Sequence, residues 1–571
     1  MTGTHNAAAH RLLPQRGRPW GSEPALTVAY AQVKKAAALA NADTGVLSAE
    51  LAAAITTAAD EVIAGRHTSL LTADLLTGGG GIGLNMELNE LLARRAAELL
   101  GRPVHPLDDV NACQSTNDTL PTALNLALHT ELTAAAQAVD TLAESLHSWA
   151  AAHGGMVRTA RTCLRDALPV TFGQTFRGYA QTVTRCGSDL HDSAAECLSM
   201  PLGATAVGTG VGAAPGFNEA VHRHLGEVTG LPVRAHSAPL AQLQHGDHLS
   251  VAATIRNAAV QLAKIAQDFR LLASGPRGGF GELVLPALQD GSSIMPGKVN
   301  PVVPETVIQI GFQVRGNDQA VTAAMAAADP DLNVWETVIA ANLLDSCGLL
   351  TAAARLLTDR CVHGMRPDHL MEPERSLGLS AIVAAFYGHE AGARVAHLAA
   401  ATGRTIEEAA VELNIADQAT AHILFDPALL TSPVPDRTLL DRALDQLTER
   451  IRQHAQGAEQ EIAAMLHDTP ADGTAFALLH DLFGAAPGPR RTALAYACVI
   501  WAHSFEGMPA PTPNGRREET GLDILAEVAR VRLRPHWIKD RYPTLLAAQE
   551  LAALLANFDL SVWRGSDTRM T

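Results

Sequence analysis

The stretch Gly291-Ser292-Ser293-Ile294-Met295-Pro296-Gly297-Lys298-Val299-Asn300-Pro301 decides how the rest of the chain is read. It gathers two hydroxyls, a Pro-Gly pair, a cation and a carboxamide, and only Ile294, Met295 and Val299 interrupt them. Neither a helical nor a strand period runs through it, so it reads as a loop. Gly and Pro let such a loop move, and its polar groups can surround a small anion. The residues alone therefore mark a carboxylate- or phosphate-binding loop of an active site.

Composition sets the background for that loop. At 571 residues the chain exceeds a single core, so several structural units are expected. Apolar residues make up 47% and charged residues 18%, a globular profile. Aromatics are 4%, and Ala dominates many segments, which favours closely packed long helices over a sandwich. The formal net charge of −16 gives no reason to expect nucleic acid or an anionic membrane as a partner. A small anionic substrate needs a local cation against that field, and Lys298 is one. Cys113, Cys163, Cys186, Cys197, Cys347, Cys361 and Cys498 are odd in number and lack CxxC spacing. That pattern argues for a reducing cytoplasm, without a disulfide scaffold or a zinc module. No apolar signal core opens the chain, and no uncharged run reaches membrane-spanning length.

Residues 1–24 lack periodicity and read as a flexible arm. Helical spacing follows to about Ala64, broken at Asn41–Gly45, with Ser48 as an N-cap. Gly78-Gly79-Gly80-Gly81-Ile82-Gly83 precedes a strong helix from about Asn85 that Gly101 closes. Before the apolar helix expected over Pro121–Leu146, Ser115-Thr116-Asn117-Asp118-Thr119 pile up. Capping needs one such residue, and the excess marks a site where side chains join free N–H groups around an anion. Thr162–Thr171 reads as a turn before a helix over Phe172–Leu190. Gly203–Gly210 lacks the spacing of a dinucleotide fingerprint. His245-Gly246-Asp247-His248 lacks a supporting ligand set, so no metal is assigned. Long apolar helices follow near Asp247–Leu272, Pro304–Asn317 and Leu332–Leu357, as in a bundle. Shorter amphipathic helices begin near Ser376. A further mostly helical block, 432–571, carries no catalytic motif.

Taken together, Gly291–Glu305, Asn111–Thr122 and Gly79–Glu90 resemble the aspartase/fumarase superfamily. Thr162–Tyr179 and Gly203–Gly210 add support in the right order. The resemblance covers roughly residues 25–430 and lies within the class II fumarase and aspartate ammonia-lyase branch. Cys113-Gln114-Ser115-Thr116-Asn117-Asp118 and Pro301-Val302-Val303-Pro304-Glu305 look more like aspartase. The resemblance implies a mostly α, three-domain protomer with a long central helical bundle, here extended by the extra C-terminal region. Its expected parts are 25–112 as an N-terminal domain, 113–373 as the central bundle and 374–431 as a small C-terminal domain. It also implies a homotetramer whose active sites draw on three subunits, and chemistry on a small dicarboxylate without metal or organic cofactor.

By motif position, the resemblance makes Ser292 the general base, acting as an alkoxide, and Ser293 a donor to the carboxylate that becomes an enediolate. Lys298 and Asn300 grip the other carboxylate, and Ser115 and Thr116 join the oxyanion network. Asn117 and Thr162 face the leaving group, with Cys163 beside them, and Glu305 orients the residues that touch substrate. The implied reaction is anti β-elimination from an aspartate-like compound to fumarate plus ammonia or an amine. The alternatives are a C–O lyase of the fumarase type and a non-catalytic structural or regulatory homologue. Three departures bear on the choice. Gly81-Ile82-Gly83 stands where the family commonly has a threonine-containing triplet, Cys163 where fumarases have histidine, and Ala384-Ala385 where an Asn-Pro occurs. They point to a different or bulkier leaving group, or a modified substrate.

Overall fold

A computed structural model describes residues 18–431 except 245–246, 369–371 and 417. The extension at 432–571 and the arm up to residue 17 lie outside the described residues. The chain divides into two compact units. The first draws on Met1–Met156 and Phe172–Leu370, the second on Val157–Thr171 and Met371–Thr571.

Nine helices of the first unit matter for the site: α1 (Pro24–Asp43), α2 (Ala49–Ile63), α3 (Ile82–Leu100), α4 (Thr116–Ala152), α5 (Phe172–Glu196), α6 (Phe217–Thr229), α7 (His248–Leu272), α8 (Val302–Ala326) and α9 (Glu336–Leu357). The expectation of a mostly α fold holds, and the long helices pack on one another. α4 lies along α5 and α9, α7 and α9 flank α8, and α1 packs against α2, α4 and α6. Alanine makes this possible on α1, where Ala29, Ala31, Ala36, Ala37, Ala38 and Ala40 are all buried. Few aromatics are needed, and they concentrate. Trp149 of α4 stacks on Phe176 of α5 with centroids 3.8 Å apart, and Phe176 stacks on Phe269 of α7 at 5.5 Å. Such stacks add roughly 0.5–1.5 kcal/mol beyond area burial. Glu336–Val362 is apolar enough to cross a membrane by length and composition, but 61% of that window is buried inside the protein, as in a bundle's core helix.

Local signals set most helix ends. The Leu51 N–H donates to Ser48 Oγ at 3.2 Å, and Gly101 closes α3 in the left-handed region at φ +65°. α4 runs longer than its sequence predicts, from Thr116 instead of Pro121. Ser115 and Asp118 form a capping box one turn upstream, and Pro121 is accommodated within the helix.

Three boundaries differ from expectation. Arg18–Glu23 are docked rather than part of an arm. Trp20 is fully buried, its indole N–H donates to Glu87 at 2.8 Å, and Arg18 pairs with Asp345 at 2.7 Å. Residues 25–112 and the bundle share one unit, because α1 packs directly on α4. The segment 157–171, expected within the bundle domain, belongs to the second unit. There it forms an antiparallel hairpin of β1 (Val157–Thr162) and β2 (Arg165–Thr171) in place of a simple turn. The Ala167 carbonyl of β2 accepts the Ser376 hydroxyl at 2.7 Å, which anchors the hairpin to the small helical domain. Leu379, Val383, Val395, Ile406 and Leu424 are the heart of that domain's core.

Candidate active site

The first part of the site is built where α1, α3 and α4 converge. Ser115 caps α4, its Oγ accepting the Asn117 N–H at 3.2 Å. Asp118 Oδ1 accepts the Ser115 N–H at 3.0 Å, while Oδ2 accepts the Gly203 and Thr205 N–H groups at 3.1 and 2.8 Å. This fully buried carboxylate therefore staples the second glycine-rich loop to the polar turn. Burial pushes Asp118 up to about 6, with the hydrogen bonds and Lys34 pulling the other way. Asn117 Nδ2 reaches the Ala206 carbonyl at 2.8 Å across the same seam. Thr116 is buried, and its Oγ1 accepts Asn85 Nδ2 at 2.9 Å. The run of polar residues is thus largely consumed by bonds within the protein. What remains for a ligand is the positive end of α4 with the half-buried Ser115, and the buried Thr116 behind it.

The glycine-rich entry to α3 borders this turn through Asn85. Gly81 stands at φ +78°, and a Cβ there would come within 2.1 Å of Leu120. Ile82 begins α3 at 47% exposed, so its side chain offers an apolar surface where a threonine hydroxyl is usual in the family.

The second part is the loop 291–301. Its ends are tied by the Gly291 N–H to the Lys298 carbonyl at 2.8 Å and by Asn300 Nδ2 to the Gly291 carbonyl at 2.8 Å. A Cβ on Gly291 would lie 2.4 Å from the Lys298 carbonyl oxygen, so only glycine permits this closure. Ser292 Oγ accepts two backbone N–H groups, from Ile294 at 3.2 Å and Met295 at 3.0 Å. Both favour negative charge on that oxygen. Ser293 and Lys298 are exposed, and Ile294 is 83% exposed at the tip. Asn300, expected to grip substrate, gives one amide N–H to the Gly291 carbonyl, and it is half-buried at the end of the loop. Glu305, at the start of α8, meets Arg270 of α7 at 3.4 Å.

Among the described residues, no hydrogen bond of Ser115, Thr116 or Asn117 goes to the loop 291–301. Thr162 and Cys163 lie in the second unit, at the exposed end of the hairpin. Cys163 and Leu164 form its two-residue turn with φ of +51° and +59°, a conformation that ordinarily selects Asn-Gly. Strain of this kind is kept where something else requires those residues.

Sequence reasoning missed Asp118 as the staple, and Asn85, Asn111 and Lys34 beneath the turn. A signal existed for Lys34, because Thr27, Tyr30, Lys34, Ala37 and Asn41 repeat at three- and four-residue spacing and are all buried. His248 is committed elsewhere: it is buried against Asn125 Oδ1 at 2.9 Å, and burial lowers it to about 4.

Known proteins resemble this chain in sequence and fold. A family model described as Lyase matches residues 14–316. An aspartate ammonia-lyase from a Bacillus species is 36% identical over 420 residues, covering 72% of this chain and 90% of that protein. A class II fumarate hydratase from Thermosynechococcus vestitus is 42% identical over 398 residues, covering 67% and 85%. Among solved structures, a fumarate lyase:delta crystallin from Brucella melitensis matches with a TM-score of 0.72 and 37% identity, over 76% of this chain and 96% of the other. A class II fumarase from Schistosoma mansoni matches with a TM-score of 0.71 and 29% identity, over the same shares. The serine loop, the capped polar turn and these likenesses agree: the chain belongs to the aspartase/fumarase superfamily of lyases, with motifs closer to aspartase.

Proposed function

We propose that this lyase catalyses reversible anti β-elimination from an aspartate-like aminosuccinate, giving fumarate and ammonia or an amine. The observation that carries the reading is Ser292, whose Oγ faces two N–H donors in a loop that also holds Lys298. An alkoxide at Ser292 takes the Cβ proton. The electron pair moves into the adjacent carboxylate to give an aci-carboxylate, and its return expels the amine as the double bond forms. Stabilising that extra negative charge is the larger part of the barrier. Ser293 donates to it, Lys298 and Asn300 hold the far carboxylate, and Ser115 and Thr116 complete the oxyanion network. Asn117, Thr162 and Cys163 face the leaving group, and Glu305 orients from behind.

We further propose a homotetramer whose sites combine segments of three subunits, as the resemblance to the superfamily implies. We place the enzyme in the cytoplasm, acting on a small dicarboxylate without nucleic acid, membrane or cofactor.

Ile82 and Cys163 shape the choice of leaving group, and an apolar Ile82 suits an N-substituted aspartate. Fumarate absorbance should rise when the purified protein meets aspartate or N-substituted aspartates. No rise with any aminosuccinate would overturn the reading. The 42% identity to a class II fumarate hydratase supports a second reading as a C–O lyase. Faster turnover of malate than of any aminosuccinate would establish it instead.

A further inference from the structure

Beneath the turn that carries Ser115 and Thr116 lies a cation that the elimination as written does not use. Lys34, midway along α1, is 0% exposed. Burying an ammonium is costly unless its N–H groups and charge are met. Two of its three N–H groups are met by hydrogen bonds: Nζ donates to Asn111 Oδ1 at 2.9 Å and Gln114 Oε1 at 3.0 Å, with the Tyr30 ring centroid 5.6 Å away. Its charge is met only in part. Both bonded acceptors are neutral carboxamides, and the carboxylate that acts on it, Asp118, is spent on three backbone N–H groups.

The contacts also lead upward to the site. Asn85 and Asn89 of α3 donate to the same Asn111 oxygen at 3.2 and 3.1 Å, and Asn85 reaches Thr116 with its other amide hydrogen. Asn111 Nδ2 donates to the Gln114 carbonyl at 3.2 Å, and Gln114 Nε2 to the Val110 and Ala112 carbonyls at 3.0 and 3.1 Å. The segment that ends in Ser115 is therefore gripped by carboxamides that converge on one ammonium. A need for position alone could be met by a neutral donor, without the cost of a buried charge.

We propose that Lys34 is a positioning residue for an anionic substrate, fixing Ser115 and Thr116 through Asn111 and Gln114 while placing incompletely neutralised positive charge beneath the carboxylate they hold. This rests on the assignment of Ser115 and Thr116 to substrate binding.

The proposal carries a pH dependence. Burial lowers Lys34 to about 7, against an opposing pull from Asp118. Tyr30 on the same helix is pushed above its usual value by burial and stays neutral. Of the elements packed on α1, α4 brings Asp118, the 105–115 segment brings the carboxamides of Asn111 and Gln114 to Nζ, and α3 brings those of Asn85 and Asn89 to the same Asn111 oxygen. On α2, Asp60 is paired with Lys35, and Arg223 and His224 of α6 pair with Asp43 at the far end of α1. Glu336 of α9 is buried and acts on Tyr30. As pH rises through about 7 the free enzyme loses the ammonium, so kcat/KM should fall on that limb, and a bound dianion should hold the proton to higher pH.

The test uses the full chain. Lys34→Met should raise KM about 10-fold or more with a smaller change in kcat and remove the limb near pH 7, in a protein that still folds. An unchanged KM with the same limb would overturn the proposal. Should Lys34→Met not fold, Gln114→Glu serves, because a carboxylate against the ammonium should move the limb up by about one pH unit or more. An unmoved limb in that variant overturns the proposal equally. Calorimetric titration with succinate and with fumarate reads the anion site without turnover, and Lys34→Met should weaken binding about 10-fold. A wild type that binds either dianion but converts no aminosuccinate or malate defeats the proposed reaction and leaves this proposal standing. Equal binding by wild type and variant, or no binding by the wild type, defeats the proposal.

Discussion

The polar turn at Ser115–Asp118 and the loop at 291–301 are both rich in hydroxyls and amides, yet they are held in opposite ways. The turn is tied to three other segments: α1 and α3 through Asn111, Asn85 and Lys34, and the 203–206 loop through Asp118 and Asn117. The loop is tied chiefly to itself, Gly291 to Lys298 and Asn300, with Ser292 bonded inside the same span. One region is a rigid floor whose geometry is bound up with the stability of the fold. The other is a closed ring that keeps its shape while riding on few outside contacts, so it can move as a unit. A base that must close on substrate and a binding surface that must wait for it need different mechanical properties.

That contrast predicts that chemistry and stability respond to different substitutions. The largest effect belongs to the loop. Ser292→Ala should lower kcat/KM about 10³-fold or more, the range expected for losing a general base, while the unfolding midpoint stays within a degree or two. Steady-state kinetics beside a melting curve would show both. Loss of stability with Ser292→Ala would mean that the loop is part of the floor after all. Asp118→Ala should do the reverse. It strips the acceptor from three N–H groups and should cost about 3 kcal/mol in urea unfolding, before any effect on turnover is counted. A variant as stable as wild type would show that the turn is not built on that carboxylate.

Sequence made the loop legible and left the floor obscure, for a physical reason. Residues 291–301 make most of their contacts inside one short span, so residue types and order already hold the geometry. Helix ends are local in the same sense, and Ser48 and Gly101 stand where capping chemistry puts them. The turn depends on partners far away in sequence. Asp118 meets Gly203 and Thr205, and Lys34 meets Asn111, pairings that no local period encodes. The apolar run sets the expected start of α4 near Pro121, whereas the Ser115–Asp118 capping box begins the helix at Thr116. The hairpin at 157–171 was hidden by its turn residues, since Cys163-Leu164 is a poor signal for two residues of positive φ.

A smaller effect probes the electrostatics of the buried side. Glu336 opens α9 and is buried, and among the described residues its Oε1 has no hydrogen-bond partner. Burial pushes its carboxyl up to about 8, against 4.5 for the free side chain. The native state then holds its proton more tightly than the unfolded chain does. Stability is therefore full below about pH 4.5, declines as pH rises toward 8, and carries a constant penalty beyond that. Glu336→Gln keeps the shape and removes the ionisation. Its melting temperature should lie close to wild type near pH 5, exceed it increasingly toward pH 8, and level off a few degrees higher. Differential scanning calorimetry across that range measures the difference directly. A gap that does not widen would mean that Glu336 has found a partner for its charge, as it would if another subunit covers the start of α9. The floor would then be completed by assembly, and its contrast with the loop would be one between a shared surface and a private one.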